Sequence, residues 1–207
     1  MKPMLFNTAM VRAIQAGQKT VTRRVVKGSA LQFLNNGFSP EFVAHPENGF
    51  SPFGFAGDAL YVRETWTCIR DIETGHRDYF YAANQKDYDT VSSTYLCDDD
   101  GFDTGKPFPW KPSIHMPKAI ARLFLRVTDV RVERLQDITE EQAKKEGCCT
   151  FSDKIGDGKF RDVLNFDLTA KDAFAELWNS TLPKNPNKFK CPENSWKTTL
   201  GYGQLNL

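Results

Sequence analysis

The run Asn7-Thr-Ala-Met-Val-Arg-Ala-Ile-Gln-Ala-Gly-Gln-Lys-Thr-Val-Thr-Arg-Arg-Val-Val26 sets a short helix and a strand end to end. Asn7 is a good helix N-cap, Met10, Ala13 and Ile14 fall on one helical face, and Gly17 stands where a helix-ending glycine belongs. From Thr20 to Val26 the β-branched content predicts a strand. Thr22 and Arg24, two apart on it, share a face, and the long stem of Lys19, at the turn before it, is expected to swing to that face. A hydroxyl beside an ammonium can act as nucleophile and base when burial lowers the lysine pKa toward neutrality. The bland alternative is a strand whose Lys and Arg are solvated or paired with carboxylates.

Outward from this run, strands outnumber helices. Ala59–Glu64, Asp78–Ala83 and Ile120–Arg134 read as strands. In the last, Leu123, Leu125 and Val127 keep one parity and Val130 and Val132 the other, which predicts a bulge or bend near Thr128-Asp129. Thr139 and Gln142 form a capping box with Ile138 as staple, Glu140–Lys144 and Glu141–Lys145 are spaced as helical ion pairs, and Gly147 stops the helix. A second helix is expected over about 169–179, with Ala173, Phe174 and Leu177 on one face. Residues 27–57 and 84–117 show no period and read as long irregular inserts. Without βαβ alternation, the pattern fits one α+β domain over residues 1–207, a small mixed β-barrel with flanking helices.

Bulk properties exclude several classes. The chain has 207 residues, and 27 Lys+Arg against 26 Asp+Glu give a net charge of +1, so any nucleic-acid contact must be a local patch. No run approaches the roughly 20 apolar residues of a membrane helix, and the first 14 residues lack a signal-peptide core. Five cysteines without CxxC spacing read as reduced thiols of a cytoplasmic protein. Neither they nor His45, His76 and His115 make a zinc pattern, so no metal and no cofactor is expected, and His115 is read as making a structural hydrogen bond.

Arg63, Glu64 and Trp66 form a second constellation. Arg63 and Glu64 point to opposite faces of their strand; Trp66 serves either as a base-stacking ring or as core. Arg122, Arg126, Arg131 and Arg134 line the long strand, as a phosphate-facing side or as its wet face.

The pattern G-x-K-x-x-x-x-R at Gly17, Lys19 and Arg24, after a short helix, resembles the ASCH domain, a member of the PUA-like fold group. Asn7–Arg24, Gly57-Asp-Ala-Leu-Tyr-Val-Arg-Glu-Thr-Trp66, Trp110-Lys-Pro-Ser-Ile-His-Met-Pro117 and Arg131-Val-Glu-Arg-Leu-Gln-Asp-Ile-Thr139 are similar to the longer ASCH proteins of phages and prophages. The resemblance implies a PUA-like barrel and a nucleoside or RNA partner. A smaller bacterial branch, amidohydrolases that remove the acetyl group of N(4)-acetylcytidine, carries a K-T-x-T-x-R segment similar to Lys19–Arg24. By that resemblance Thr22 is the nucleophile, Lys19 the base and Glu146 the third catalytic residue; the residues themselves make Arg24, Arg63, Glu64 and Trp66 the substrate-binding candidates. The position of Glu146 adds a physical reason. At a helix C-terminus the dipole disfavours a carboxylate by roughly 0.3–1 kcal/mol, and a partner such as Lys19 would account for it. The rival readings are a non-catalytic, regulatory RNA-binding module and a ribonuclease.

The resembling phage proteins end in a hydrophobic strand, whereas Thr198–Leu207 lacks a β period and reads as loop. Thr199–Leu207 written as ACC-CTT-GGG-TAT-GGG-CAG-TTG-AAT-TTG and read from its third base gives Pro-Trp-Val-Trp-Ala-Val-Glu-Phe. A frameshift near Trp196 is therefore expected to have replaced a closing strand and exposed a sheet edge; gene sequencing that rules out this frame refutes it.

Overall fold

The computed structural model describes residues 1–71, 74–97, 103–148, 169–180 and 196–205. In chain order they form β1 (Lys2–Leu5), α1 (Thr8–Gln15), β2 (Val21–Val25), α2 (Ser29–Asn35), α3 (Pro40–Ala44), β3 (Ala59–Arg63), β4 (Trp66–Arg70), β5 (Arg77–Tyr81), α4 (Gln85–Ser92), β6 (Tyr95–Cys97), β7 (Asp103–Pro107), β8 (Phe124–Arg134), α5 (Glu140–Lys145), α6 (Ala170–Ser180) and β9 (Trp196–Leu205). The class is α+β. No helix among these residues is long and apolar enough to cross a membrane.

The chain divides into two compact units: Met1–Ala16 with Ala59–Leu125 and Gln204–Leu207, and Gly17–Asp58 with Arg126–Gly203. In the first, β1 lies parallel to β3 with Met4 opposite Val62, and the Val62 N–H donates to the Leu123 carbonyl at 2.9 Å. The Asn7 side chain accepts from the Met10 N–H, and Val11 and Ile14 are the residues α1 buries. Val11 thus takes the central place that periodicity had given to Met10 and Ala13, which are half-buried. Arg12 anchors the helix by donating to the carbonyls of Ala83 (3.1 Å) and Ala82 (3.2 Å). β4 and β5 form an antiparallel hairpin, as do β6 and β7. The segment 84–117, expected to be irregular, therefore holds a helix capped by Asn84 and that second hairpin.

In the second unit β9 lies between β8 and β2 and pairs antiparallel with β2, Thr22 facing Leu200 and Arg24 facing Thr198. The tail is therefore a strand and not the loop its sequence predicts, and β2 has no exposed edge on that side. Backbone pairing needs no alternation of side chains, which is why the sequence period concealed it. A Cβ at Gly201 would stand 3.0 Å from Thr128 Oγ1, a tight contact that the Thr128 side chain would have to yield to.

Residues 27–57 are likewise not a loop. They contain α2 and α3, whose Ala30, Leu34 and Val43 pack with Val26 and Val132 into an apolar cluster. Helices of seven and five residues are too short for a period to show in sequence. Along β8, burial moves from Leu125 and Val127 to Val132, the parity change its sequence predicts. The capping box of Thr139 and Gln142 is formed, and Ile138 and Ala143 pack with Ala170 and Phe174. Glu140 accepts the Ala170 N–H at 2.9 Å and the Lys171 N–H at 3.3 Å, holding the start of α6 where an ion pair with Lys144 was expected.

Candidate functional site

Lys19 and Glu146 are 127 residues apart and meet through both backbone and side chain. An antiparallel bridge joins them, and the Thr20 N–H donates to the Lys145 carbonyl at 2.9 Å. Lys19 Nζ donates to the Glu146 carbonyl (2.8 Å) and to Glu146 Oε2 (2.5 Å). The two residues are 2% and 5% exposed, so the pair is shielded from water. Burial pushes the Lys19 pKa below its ordinary value; Glu146 pulls it back without restoring it, and the Arg24 charge lowers it further.

Strand alternation decides what else joins. Lys19, Val21 and Arg23 share one parity, and Thr22 and Arg24 share the other. Arg23, not Arg24, therefore reaches the pair: its Nη1 donates to Glu146 Oε1 at 3.1 Å, and its Nη2 to Glu133 Oε2 at 3.1 Å. Its guanidinium also lies 5.7 Å from the Phe174 ring centre. Glu133 passes the arrangement outward, accepting from Arg131 (3.2 Å), which also pairs with Asp129 (2.7 Å). Six charges of alternating sign thus run from the buried Lys19 to the exposed Asp129. Neutral in sum, this chain of charges offsets part of the desolvation that isolated buried ions would suffer.

Arg23 and Glu133 are the members sequence reasoning missed. The available signal was parity: on the strand Arg23 alternates with Lys19, and Arg24 does not. The expected swing of Lys19 toward Thr22 is replaced by its bonds to Glu146, and among the described residues no hydrogen bond joins Lys19 to Thr22. Thr22 is 1% exposed and Arg24 half-buried. Cys148 is buried close enough for its charge to raise the Lys19 pKa.

The second constellation belongs to the other unit. Glu64 is 1% exposed, and Arg122 clamps it with two bonds of 2.9 Å, Nε to Oε1 and Nη2 to Oε2. The same guanidinium lies 4.2 Å from the Tyr81 ring centre. Burial pulls the Arg122 pKa down, but its bonds to Glu64 outweigh that and hold it above the ordinary value. Arg63 faces elsewhere, donating to the carbonyls of Met116 (2.9 Å) and Ile114. It pins the 113–117 segment, in which His115 is exposed and makes no side-chain hydrogen bond with a described residue. The structural bond expected of His115 thus falls to Arg63. Trp66 is 7% exposed and bridged through its backbone to Lys111, whose Nζ lies 4.9 Å from its ring centre. Its face is therefore not an open platform for a base.

Of the long-strand arginines, Arg122 and Arg131 are paired with carboxylates, and Arg126 donates to the Gly57 carbonyl at 3.4 Å. Among the described residues no three His, Cys, Asp or Glu side chains gather as metal ligands. Comparison of the chain with protein-family models, curated proteins and solved structures finds no match.

Proposed function

We propose that the protein is an ASCH-type enzyme of nucleoside or RNA metabolism, with a PUA-like barrel, that hydrolyses an N-acylated cytidine-like amide. The observation that carries this is the buried Lys19–Glu146 pair. A lysine needed as a base at neutral pH must be desolvated, and one that must stay in place needs a partner. Lys19 takes the proton of the Thr22 hydroxyl as that oxygen attacks the amide carbonyl, and the resulting ammonium is steadied by Glu146. Arg23 fixes the other oxygen of Glu146, so the carboxylate presents Oε2 to Lys19. The proton on Lys19 passes to the leaving amine, and water then hydrolyses the acyl ester on Thr22, which regenerates the hydroxyl. Arg24, on the same parity as Thr22, binds the substrate. Catalytic hydrogen bonds of this kind commonly tighten only once substrate is bound, and the Lys19–Thr22 contact is assigned to that state.

A second reading draws on a different observation. Thr22 is 1% exposed, as fits a site that binds a base through neighbouring groups and catalyses nothing. Chromatographic assay of N(4)-acetylcytidine turnover, beside Thr22→Ala and Lys19→Ala, separates the two. Cytidine release lost in both folded variants is the expected result. No release by folded parent protein refutes the hydrolase and leaves RNA binding, read from salt-dependent affinity, as the function.

A further inference from the structure

Helices α2 and α3 form a partly open cavity of about 500 Å³ against β2 and β8, within the second unit. Its wall is mostly apolar, with Val26, Ala30, Val43, Phe50, Phe53 and Val132 among its residues. Small-ligand sites run to roughly 300–1,000 Å³. Three observations point to the occupant. Phe50 and Phe53 on the wall suit a planar ring. Arg24 and Lys27 line the cavity, and among the described residues no acidic one does, so its charge complements an anion. Ser51, also on the wall, is 8% exposed, and its buried Oγ has no hydrogen-bond partner among the described residues. A buried hydroxyl without a partner burdens the fold unless something else bonds to it.

We infer that this cavity is a binding site for a small aryl oxyanion, an aromatic ring bearing one carboxylate, sulfonate or phosphate group, with Lys27 holding the charge and Ser51 a ring substituent. The site shares none of Lys19, Thr22 and Glu146, and it does not rest on the hydrolase reading. It is a property of the 27–57 insert.

The probe is 8-anilinonaphthalene-1-sulfonate, titrated by fluorescence and by calorimetry against full-length protein whose fold is checked by near-UV circular dichroism. The parent binds it at one saturable site, more weakly as salt rises. Lys27→Glu weakens binding several-fold and flattens the salt dependence. Ser51→Ala weakens it about twofold to tenfold, the range of one net hydrogen bond, while leaving the melting temperature of the free protein unchanged or higher. Ala44→Phe, which fills the cavity from its half-buried rim, abolishes binding. Absence of saturable binding to folded parent overturns the inference, as does binding that survives both Ala44→Phe and Lys27→Glu.

Discussion

Replacing Glu146 by Gln keeps the shape of the side chain and removes the charge that both Lys19 and Arg23 use. Arg23 retains Glu133 at 3.1 Å, so the cation left without a carboxylate is Lys19, with only the Glu146 carbonyl at 2.8 Å. Removing one partner of a buried pair costs about 3–5 kcal/mol. Lys19 has an escape, because it can shed its proton. An ordinary lysine titrates near 10.5, so holding it neutral at pH 7 costs about 1.4 kcal/mol for each of 3.5 pH units, roughly 5 kcal/mol. At pH 9 that ceiling falls to about 2 kcal/mol. The sign follows from proton counting. The unfolded lysine binds a proton that the folded, neutral one does not, so stability rises with pH from the folded pKa up to 10.5. Glu146 raises the Lys19 pKa in the parent, so the variant enters this rising range at lower pH and the gap between the two closes as pH increases. Urea denaturation of both proteins from pH 6 to 9 measures it. Lys19→Met/Glu146→Gln is expected to be more stable than Glu146→Gln alone, because the orphaned cation is gone. A loss under about 1 kcal/mol at pH 7, a gap that widens with pH, or a double variant no better than the single refutes the reasoning.

Arg122→Met leaves the Glu64 carboxylate buried without its two 2.9 Å bonds; a loss of about 3 kcal/mol or more is expected in urea denaturation. Thr139→Ala deletes the capping box of α5, and calorimetry should show about 0.5–2 kcal/mol of destabilisation with the fold retained. At Gly54, φ is 101° and a Cβ would stand 2.5 Å from Asp58 Oδ2, which accepts the Phe55 N–H at 2.9 Å. Gly54→Ala is therefore expected to destabilise the fold, read as a lower melting temperature, by more than the roughly 0.4–1 kcal/mol that the same exchange gains at a compatible site.

Local signals carried the elements whose sequence explains them within a few residues. The Asn7 cap, the Thr139–Gln142 box and the parity change of β8 are each legible because cause and effect sit within one turn or one strand. The site was legible in part for the same reason. Lys19 stands out by its turn and Glu146 by its misfit with the helix dipole. Which arginine joins them depends on counting alternation from Lys19, and the sequence reading assumed instead that a flexible stem overrides the strand. Glu133 could not be found locally, since nothing on β8 marks one carboxylate among alternating charges until β8 and β2 are brought into one sheet on either side of β9. Trp66 and His115 were singled out by residue type, whereas Lys111 and Arg63 determine their surroundings. The tail and the 27–57 insert were hidden because a strand held by backbone bonds and helices of one or two turns leave little period in sequence.

The 127-residue separation of Lys19 and Glu146 is also an interval in time. At about 5–20 residues added per second, Glu146 leaves the ribosome roughly 6–25 seconds after Lys19. Throughout that interval β2 also lacks β9, which is made later still, so Val21–Val25 is an unpaired strand preceded by a lysine that has not yet met its carboxylate. A charged lysine beside an unpaired strand is one of the devices that blunt such an edge against pairing with another chain.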